Sequence, residues 1–162
     1  MPIINRIAGY ADELTQWRRH IHQNPELGFE EFETSDYVAL KLSGMGMQVH
    51  RGLAGTGVVG SLTAGTGQGL SIGLRADMDA LAMQENAEHT HASANPGKMH
   101  ACGHDGHTTM LLGAAKYLAE TKNFDGTVHF IFQPAEEGLG GGKKMIEDGL
   151  FDVFPVDEVY GM

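Results

Sequence analysis

Apolar residues recur every three or four positions over residues 3 to about 22, which predicts one amphipathic helix. Its apolar positions include Ile3, Ile7, Tyr10, Ala11, Leu14 and Trp17. Asn24-Pro25 should end this helix, because proline disfavours helical backbone at the residue before it. A second helix is predicted from Phe29 to Leu42, with Gly44 and Gly46 as its stop signal.

The period then changes to the two-residue alternation and short apolar runs that are typical of strands. Strands are predicted at residues 48–51, 57–63, 70–74, 127–132 and 156–160. Helices are predicted at residues 107–120 and 141–148, and residues 82–99 form a long polar loop. Strands that alternate with helices in the second half predict an α/β fold with a central mixed, largely parallel sheet flanked by helices.

Acidic residues follow two of these strands, at the points where each strand ends. Asp77 and Asp79 come after the third strand, and Glu136-Glu137 comes after the fourth. Ligands of open α/β sheets bind beyond the carboxyl ends of the strands. Both acidic groups therefore fall where a functional site is expected.

Charge and cysteine content narrow the class of protein. The net charge of −10 disfavours a nucleic-acid or anionic-membrane partner, which would require clustered Lys and Arg. The single cysteine cannot form an internal disulfide, and the N-terminus lacks the basic and apolar regions of a signal peptide. These features predict a cytoplasmic protein without a membrane partner.

Metal-binding side chains are crowded into the stretch from His100 to His107. It holds the only cysteine, Cys102, three of the nine histidines and an acid within eight residues. Cys102 has three interpretations at this point: a buried small hydrophobe, a nucleophile with His104 or His107 as its base, or a metal ligand. Cys102 and His104 are two apart and can point to one centre, which favours metal. His107 could support such a site, or could simply begin the following helix.

The pair Glu136-Glu137 strengthens the metal interpretation. Neighbouring side chains of an extended segment point in different directions, so one carboxylate can bind the metal while the other accepts a proton from water. A bound ion lowers the pKa of water to roughly 7, which brings that proton within reach of a glutamate. Asp77 could orient a ligating histidine by accepting its distal N–H, or it could only solvate a turn.

Two glycine-rich motifs have a structural rather than a nucleotide-binding interpretation. Gly55 to Gly60 matches the dinucleotide pattern, but a strand follows it where a helix is required. Gly138 to Lys144 lacks the first glycine and the final Ser or Thr of a phosphate loop. Structural roles are also expected for five histidines that lack context in the sequence: His20, His22, His89, His91 and His129.

Four segments taken together resemble one family. They are Trp17 to Glu31, Gly73 to Leu81, His100 to Asp105 and Gln133 to Gly138. In this order they are similar to the amidohydrolases of the hippurate hydrolase, N-acyl-L-amino-acid amidohydrolase and auxin-conjugate hydrolase group, within the dinuclear metallopeptidases. Asn24 and Ala82 depart from that family's usual His and Pro, and neither residue belongs to the proposed chemistry.

The resemblance implies a role for each site residue. Cys102, His104 and Glu137 would be ligands of two divalent ions (Zn, Mn, Co or Ni), Glu136 the general base and acid, and Asp77 the catalytic acidic residue behind the metals. It implies hydrolysis of the amide bond of a small N-acyl amino acid by a homodimer or tetramer. The alternatives are a catalytically incomplete metal-binding fragment and a hydrolase with a cysteine nucleophile.

The resemblance also implies that residues 1–162 are the N-terminal part of a zinc-peptidase-like catalytic domain. Family members are longer, with a lid and dimerisation domain and two further histidine ligands that are expected to lie outside this sequence. A chain of these residues alone is therefore expected to bind metal weakly and to show little activity.

Overall fold

The computed structural model describes residues 5–162. The helices are α1 (Asn5–Ala8), α2 (Ala11–Gln23), α3 (Phe32–Gly44), α4 (His104–Thr121), α5 (Gly141–Glu147) and α6 (Leu150–Val153). The strands are β1 (Gln48–Leu53), β2 (Gly57–Ala64), β3 (Ser71–Asp77), β4 (Gly126–Gln133) and β5 (Glu158–Gly161). Residues 82–99 form the irregular connection that the sequence predicts.

The strands form one mixed sheet in the order β1-β2-β4-β3-β5. β1 pairs with β2, and β2 with β4, in antiparallel fashion. β3 lies between β4 and β5 and is parallel to both. The α/β class with a mixed sheet flanked by helices is thereby confirmed, and its parallel part is the half that carries the acidic strand ends.

The core forms two layers because the side chains of the central strand alternate between the faces of the sheet. On β4, Phe130 and Phe132 are fully buried against helices α2, α3 and α4, in a cluster that includes Trp17 and Leu112. Ile131 points to the opposite face, where its cluster holds residues of α5 and α6. The sheet is therefore covered on both faces, which holds the ends of β3 and β4 in place.

The first two helices differ from the prediction at their boundaries. The predicted helix from residue 3 divides into α1 and α2 at Gly9-Tyr10, and Ile3 lies outside the described residues. Glycine is unfavourable inside a helix, and the buried Tyr10 turns towards α4, where its hydroxyl donates to Glu120. The second helix begins at Phe32 because Phe29 has a φ of 64°, which no residue of a right-handed helix can have.

The third predicted helix begins three residues early, at His104 rather than His107. Gly103 precedes it with a φ of 92°, and this left-handed turn lets the chain enter the helix at once. The short helix α6 was not predicted. Among residues 5–162, none of the helices combines the length and apolar character that crossing a bilayer requires.

Candidate metal centre

The parallel pairing of β3 and β4 brings the two acidic segments together. Asp77 lies opposite Gln133, so both strands end at the same edge of the sheet. The N–H of Met78 then donates to the carbonyl of Gln133 at 3.0 Å, which keeps the outgoing chains adjacent. Glu136 and Glu137 follow after a turn in which Ala135 has a φ of 52°.

The third contribution comes from the start of α4. His104 is the first residue of this helix and is only 2% exposed. The hydroxyl of Thr108, one turn later, donates to the carbonyl of Asp77 at 2.8 Å and fastens the helix to the end of β3. The early start of α4 therefore places His104 against the acidic strand ends.

Cys102, His104 and Glu137 converge, and we refer to them as the thiol cluster. One ligand atom from each lies within 4.8 Å of the others. Nε2 of His104 is 3.8 Å from Oε1 of Glu137, and that oxygen is buried with no hydrogen-bond partner among residues 5–162. A buried carboxylate oxygen without a partner is costly unless a cation is near it. Thiolate, imidazole and carboxylate are together the ligand types that zinc and similar ions take, so these residues fit a metal ion.

Asp79 determines which nitrogen of His104 is free to bind. Nδ1 of His104 lies 2.9 Å from the backbone carbonyl of Asp79 and 3.1 Å from its Oδ1. A carbonyl oxygen only accepts, so Nδ1 carries the proton and Nε2 faces the cluster. Oδ2 of the same carboxylate accepts the N–H of Glu137 at 2.9 Å. Asp79 thus orients two members of the thiol cluster at once.

Asp77 faces the other side of His104. Its Oδ1 lies 3.6 Å from Nε2 of His104 and 2.8 Å from Nδ1 of His107, and Arg75 is 3.0 Å from its Oδ2. The carboxylate on Nδ1 of His104 is therefore that of Asp79, while Asp77 borders Nε2, the nitrogen that faces the thiol cluster, and contacts His107. One atom each from Asp77, His104 and His107 also lie within 4.8 Å of one another.

Glu136 lies beside the cluster on its open side. Its Oε2 is 3.9 Å from Nε2 of His104, and its side chain is 43% exposed. Glu137 is less exposed, at 29%. The two neighbouring glutamates therefore have different environments: one is directed towards the ligand atoms, and the other remains accessible from solvent.

The electrostatics of the cluster are those of an acidic site. The neighbouring carboxylate of Glu137, and then burial, raise the pKa of the Cys102 thiol to about 11. Burial alone would lower the pKa of His104, but the hydrogen bond to Asp79 and the charge of Asp77 outweigh it and raise the pKa. The surrounding carboxylates therefore favour a positive charge at the cluster, and they hold the thiol in its protonated form when no cation is bound.

Two supporting residues were not singled out from the sequence. Asp79 was placed with Asp77 where a site is expected, but it was given no role of its own, although alternation puts both on the same side of an extended segment. Glu31 is fully buried and accepts the N–H of Ala135 at 2.8 Å and the Thr56 hydroxyl at 2.6 Å. It supports the turn before Glu136 from 104 residues away along the chain, a distance over which no local pattern carries a signal.

Comparisons with known proteins agree with this arrangement. Residues 73–162 match the model of peptidase family M20/M25/M40. Hippurate hydrolase of Campylobacter jejuni is 53% identical over 161 residues, which are 99% of this chain and 42% of that protein. IAA-amino acid hydrolase ILR1-like 4 of Arabidopsis thaliana is 54% identical over 94% of this chain and 34% of its own length.

A solved structure extends the comparison to the fold. The Bacillus subtilis YXEP protein, described as a dinuclear metal binding peptidase from the M20 family, superposes with a TM-score of 0.89 at 37% identity. The alignment covers 96% of this chain and 43% of that one, so the chain spans less than half the length of each of these relatives. The family match covers more than half of the chain and includes every residue of the thiol cluster: the chain belongs to peptidase family M20/M25/M40.

Proposed function

We propose that the protein hydrolyses the amide bond of N-acyl amino acids with the help of divalent metal ions held by Cys102, His104 and Glu137. The convergence of three ligand atoms within 4.8 Å carries the proposal, because Glu136 stands directly beside them, 3.9 Å from Nε2 of His104. This is the division of labour that metal-assisted hydrolysis needs: one glutamate to bind and its neighbour to move a proton.

The chemistry follows from these positions. When bound, the metal supplies Lewis acidity, polarising the acyl carbonyl and lowering the pKa of water. The carboxylate of Glu136 accepts a proton from the attacking water and delivers it to the amide nitrogen as the C–N bond breaks. The products are a carboxylic acid and a free amino acid. Asp79 holds His104 and Glu137 in register throughout, and Asp77 keeps a negative charge next to the metal-facing nitrogen of His104.

The names of the relatives suggest the substrate class. Hippurate is an aromatic acyl amide of glycine, and the Arabidopsis relative is named for IAA-amino acid conjugates. Both names refer to an amino acid joined to an acyl group, so we infer that N-acyl amino acids are cleaved here. We also propose two metal ions, of which Zn, Mn, Co and Ni are all compatible with thiolate, imidazole and carboxylate ligands.

We further propose that residues 1–162 correspond to part of the catalytic domain. The lengths of the relatives support this, since the chain accounts for 42% and 34% of the two enzymes compared above. The activity is therefore to be measured on the whole protein that contains this segment.

The neighbouring glutamates offer a matched test. In the whole protein, Glu136→Gln should lower kcat for hippurate by roughly 10²–10⁴-fold, because the proton acceptor is lost. The metal content should stay unchanged, because Glu136 is not one of the proposed metal ligands. Glu137→Gln should lower the metal content itself. Turnover assays and elemental analysis of both variants separate the roles. Activity that survives Glu136→Gln, or metal lost equally from both variants, would contradict the assignment.

Cys102→Ser distinguishes a ligand from a nucleophile. A ligand role predicts weaker metal binding, with activity partly restored by excess metal. A nucleophile role predicts inactivity at any metal concentration and a covalent Cys102 adduct with substrate, which mass spectrometry of the native enzyme would detect.

A further inference from the structure

A second group of metal-binding side chains lies where α2 meets the 82–99 loop. It consists of His22 on α2 with Glu85 and His89 of the loop, and we refer to it as the histidine cluster. One ligand atom from each lies within 4.8 Å of the others. Oε1 of Glu85 is 3.2 Å from Nε2 of His22 and 3.0 Å from Nε2 of His89. None of these three residues belongs to the thiol cluster.

The orientation of His22 is set from behind by Asp105. Nδ1 of His22 lies 2.9 Å from Oδ2 of Asp105, and the same oxygen accepts the Nε–H of Arg18 at 3.1 Å. Because arginine is always a charged donor, Asp105 is ionised. Its carboxylate therefore accepts a hydrogen bond from the Nδ1–H of His22, so the ring carries a proton on Nδ1. Nε2 of His22 is then the nitrogen that faces Glu85 and His89. Metal-ligating histidines usually have such a carboxylate on their distal nitrogen.

The contacts at Glu85 require a positive charge between them. If His22 is neutral with its proton on Nδ1, the lone pair of its Nε2 points at Oε1 of Glu85. The lone pairs of the two atoms then repel each other. Only a cation resolves this contact: a second proton on the ring, or a metal ion. Bonds of about 2.0–2.2 Å to a tetrahedral ion place neighbouring ligand atoms roughly 3.3 Å apart. The observed 3.2 Å and 3.0 Å are close to that spacing.

His91 provides a further nitrogen next to the cluster. Its ring stacks on that of His89 at 3.9 Å between centroids and is 5.7 Å from that of His22. Its Nδ1 is buried and unpaired with any polar group of the described chain. A cavity of about 420 Å³, lined by His22, His89, His91 and Arg18, opens at this place and gives an ion and its waters access.

We propose that His22, Glu85 and His89 form a second binding site for a divalent transition-metal ion of the zinc type, separate from the thiol cluster. Imidazole and carboxylate ligands without sulfur suit Zn, Ni, Cu or Co rather than Mg or Ca. Glu85 also accepts the N–H of Ser93 at 2.6 Å, so the ion joins both ends of the 85–93 segment to α2. The ion therefore holds the 82–99 loop against α2, shortly before the chain reaches Cys102.

Calorimetric titration with ZnCl₂ tests the proposal in a background in which the thiol cluster is disabled by Cys102→Ser and Glu137→Gln. This background should still bind one zinc ion per chain. Adding His89→Ala should weaken that binding roughly 10-fold or more, since losing even an outer partner of a ligand has an effect of this size. Adding His50→Ala instead, an exposed histidine on β1, should change nothing. A background that binds no zinc, or equal effects of the two histidine variants, would overturn the proposal.

Cobalt substitution of the chain with its native sequence provides a second measurement that does not depend on that background. Cobalt at the thiol cluster gives thiolate-to-metal charge-transfer absorption, and cobalt at the histidine cluster gives only d–d bands. His89→Ala should remove the sulfur-free d–d component and leave the charge-transfer band intact. Loss of both signals together, or of neither, would count against a separate site.

Discussion

The thiol cluster and the histidine cluster each bring three candidate ligand atoms within 4.8 Å of one another, but they are supported differently. In each, a buried aspartate holds Nδ1 of a histidine, Asp79 for His104 and Asp105 for His22. The thiol cluster rests on two strand ends and a helix start, and its histidine is 2% exposed. The histidine cluster has one ligand on a helix and two on an irregular loop, where the side chain of His89 is 34% exposed.

The difference extends to the carboxylates around each cluster. Beside the thiol cluster, the side chain of Glu136 is 43% exposed and its Oε2 lies 3.9 Å from Nε2 of His104, which suits the proton transfer proposed for it. At the histidine cluster, Glu85 is committed to two histidines and Ser93, and Asp105 to His22 and Arg18. Buried carboxylates that bind neighbouring side chains suit holding a segment in place, whereas an accessible carboxylate suits proton transfer.

The largest effect is expected at Gly141, which lies against the turn that carries Glu136 and Glu137. A Cβ at this position would lie 1.8 Å from the carbonyl oxygen of Pro134, which is backbone and cannot move aside freely. Gly141→Ala should lower the free energy of unfolding by roughly 3 kcal/mol, as overpacking does. Urea unfolding measures this change. Zinc titration of the variant should show a larger loss of zinc affinity at the thiol cluster than at the histidine cluster.

Gly44→Ala is the matched control for that substitution. Gly44 ends α3, and its Cβ would meet nothing within 4 Å. Alanine should leave stability unchanged or raise it by up to about 1 kcal/mol, because glycine is a poor helix former. Similar losses in the two variants would mean that the close approach to Pro134 is not the cause.

Asp79→Asn should weaken the thiol cluster alone. The amide must turn its NH₂ towards either the Nδ1–H of His104 or the N–H of Glu137, both of which are donors. Metal affinity at the thiol cluster should fall about 10–100-fold, the usual effect of losing the partner of a ligand. The thiolate-to-cobalt band reports this affinity. An equal loss of the sulfur-free d–d component would show that the two clusters are coupled.

Asp105→Asn is the reciprocal change, at the residue directly after His104 in the sequence. It removes the acceptor of His22 and Arg18, so zinc affinity at the histidine cluster should fall by about one order of magnitude. The first turn of α4 also loses a favourable negative charge, worth about 0.3–1 kcal/mol of stability. If the thiolate-to-cobalt band weakened instead, Asp105 would act on its sequence neighbour His104 and not on His22, which its side chain contacts.

The smallest effect concerns Glu31, which supports the turn at Ala135. Burial raises the pKa of Glu31 above its ordinary 4.5, although hydrogen bonds from Thr56 and Ala135 oppose this. The folded state therefore binds this proton more tightly than the unfolded state. The contribution of Glu31 to stability is largest at acid pH and is lost as the pH rises from 4.5 through the raised pKa.

Glu31→Gln should remove this particular decline. Relative to the wild type, the free energy of unfolding of the variant should therefore increase from acid to neutral pH. Urea unfolding across that pH range measures this change. Glu33→Gln, at an exposed glutamate two residues further on, provides the comparison. A pH-independent difference for Glu31→Gln would mean that the carboxyl group does not titrate differently in the folded protein.

Much of this molecule was predictable from local patterns. The two-residue alternation located all five strands to within a few residues, and the crowding of Cys102, His104 and His107 marked a metal-type site. The family resemblance based on four segments is confirmed. Helix boundaries were less predictable, because Phe29 and Gly103 adopt left-handed backbone conformations that follow from packing rather than from periodicity.

The sequence by itself determined most of the elements and the α/β class, because these depend on residues close together in the chain. Spacing also marked Cys102 and His104 as candidate metal ligands, and the family resemblance added Glu137. Only the tertiary structure decided that Asp79 rather than Asp77 orients Nδ1 of His104, and that His22 meets Glu85 across 63 positions. The physical reason is the same in both cases. A hydrogen bond or metal ligand set depends on ångström-scale positions, and those are fixed by the packing of helices and loops on the sheet, not by spacing along the chain.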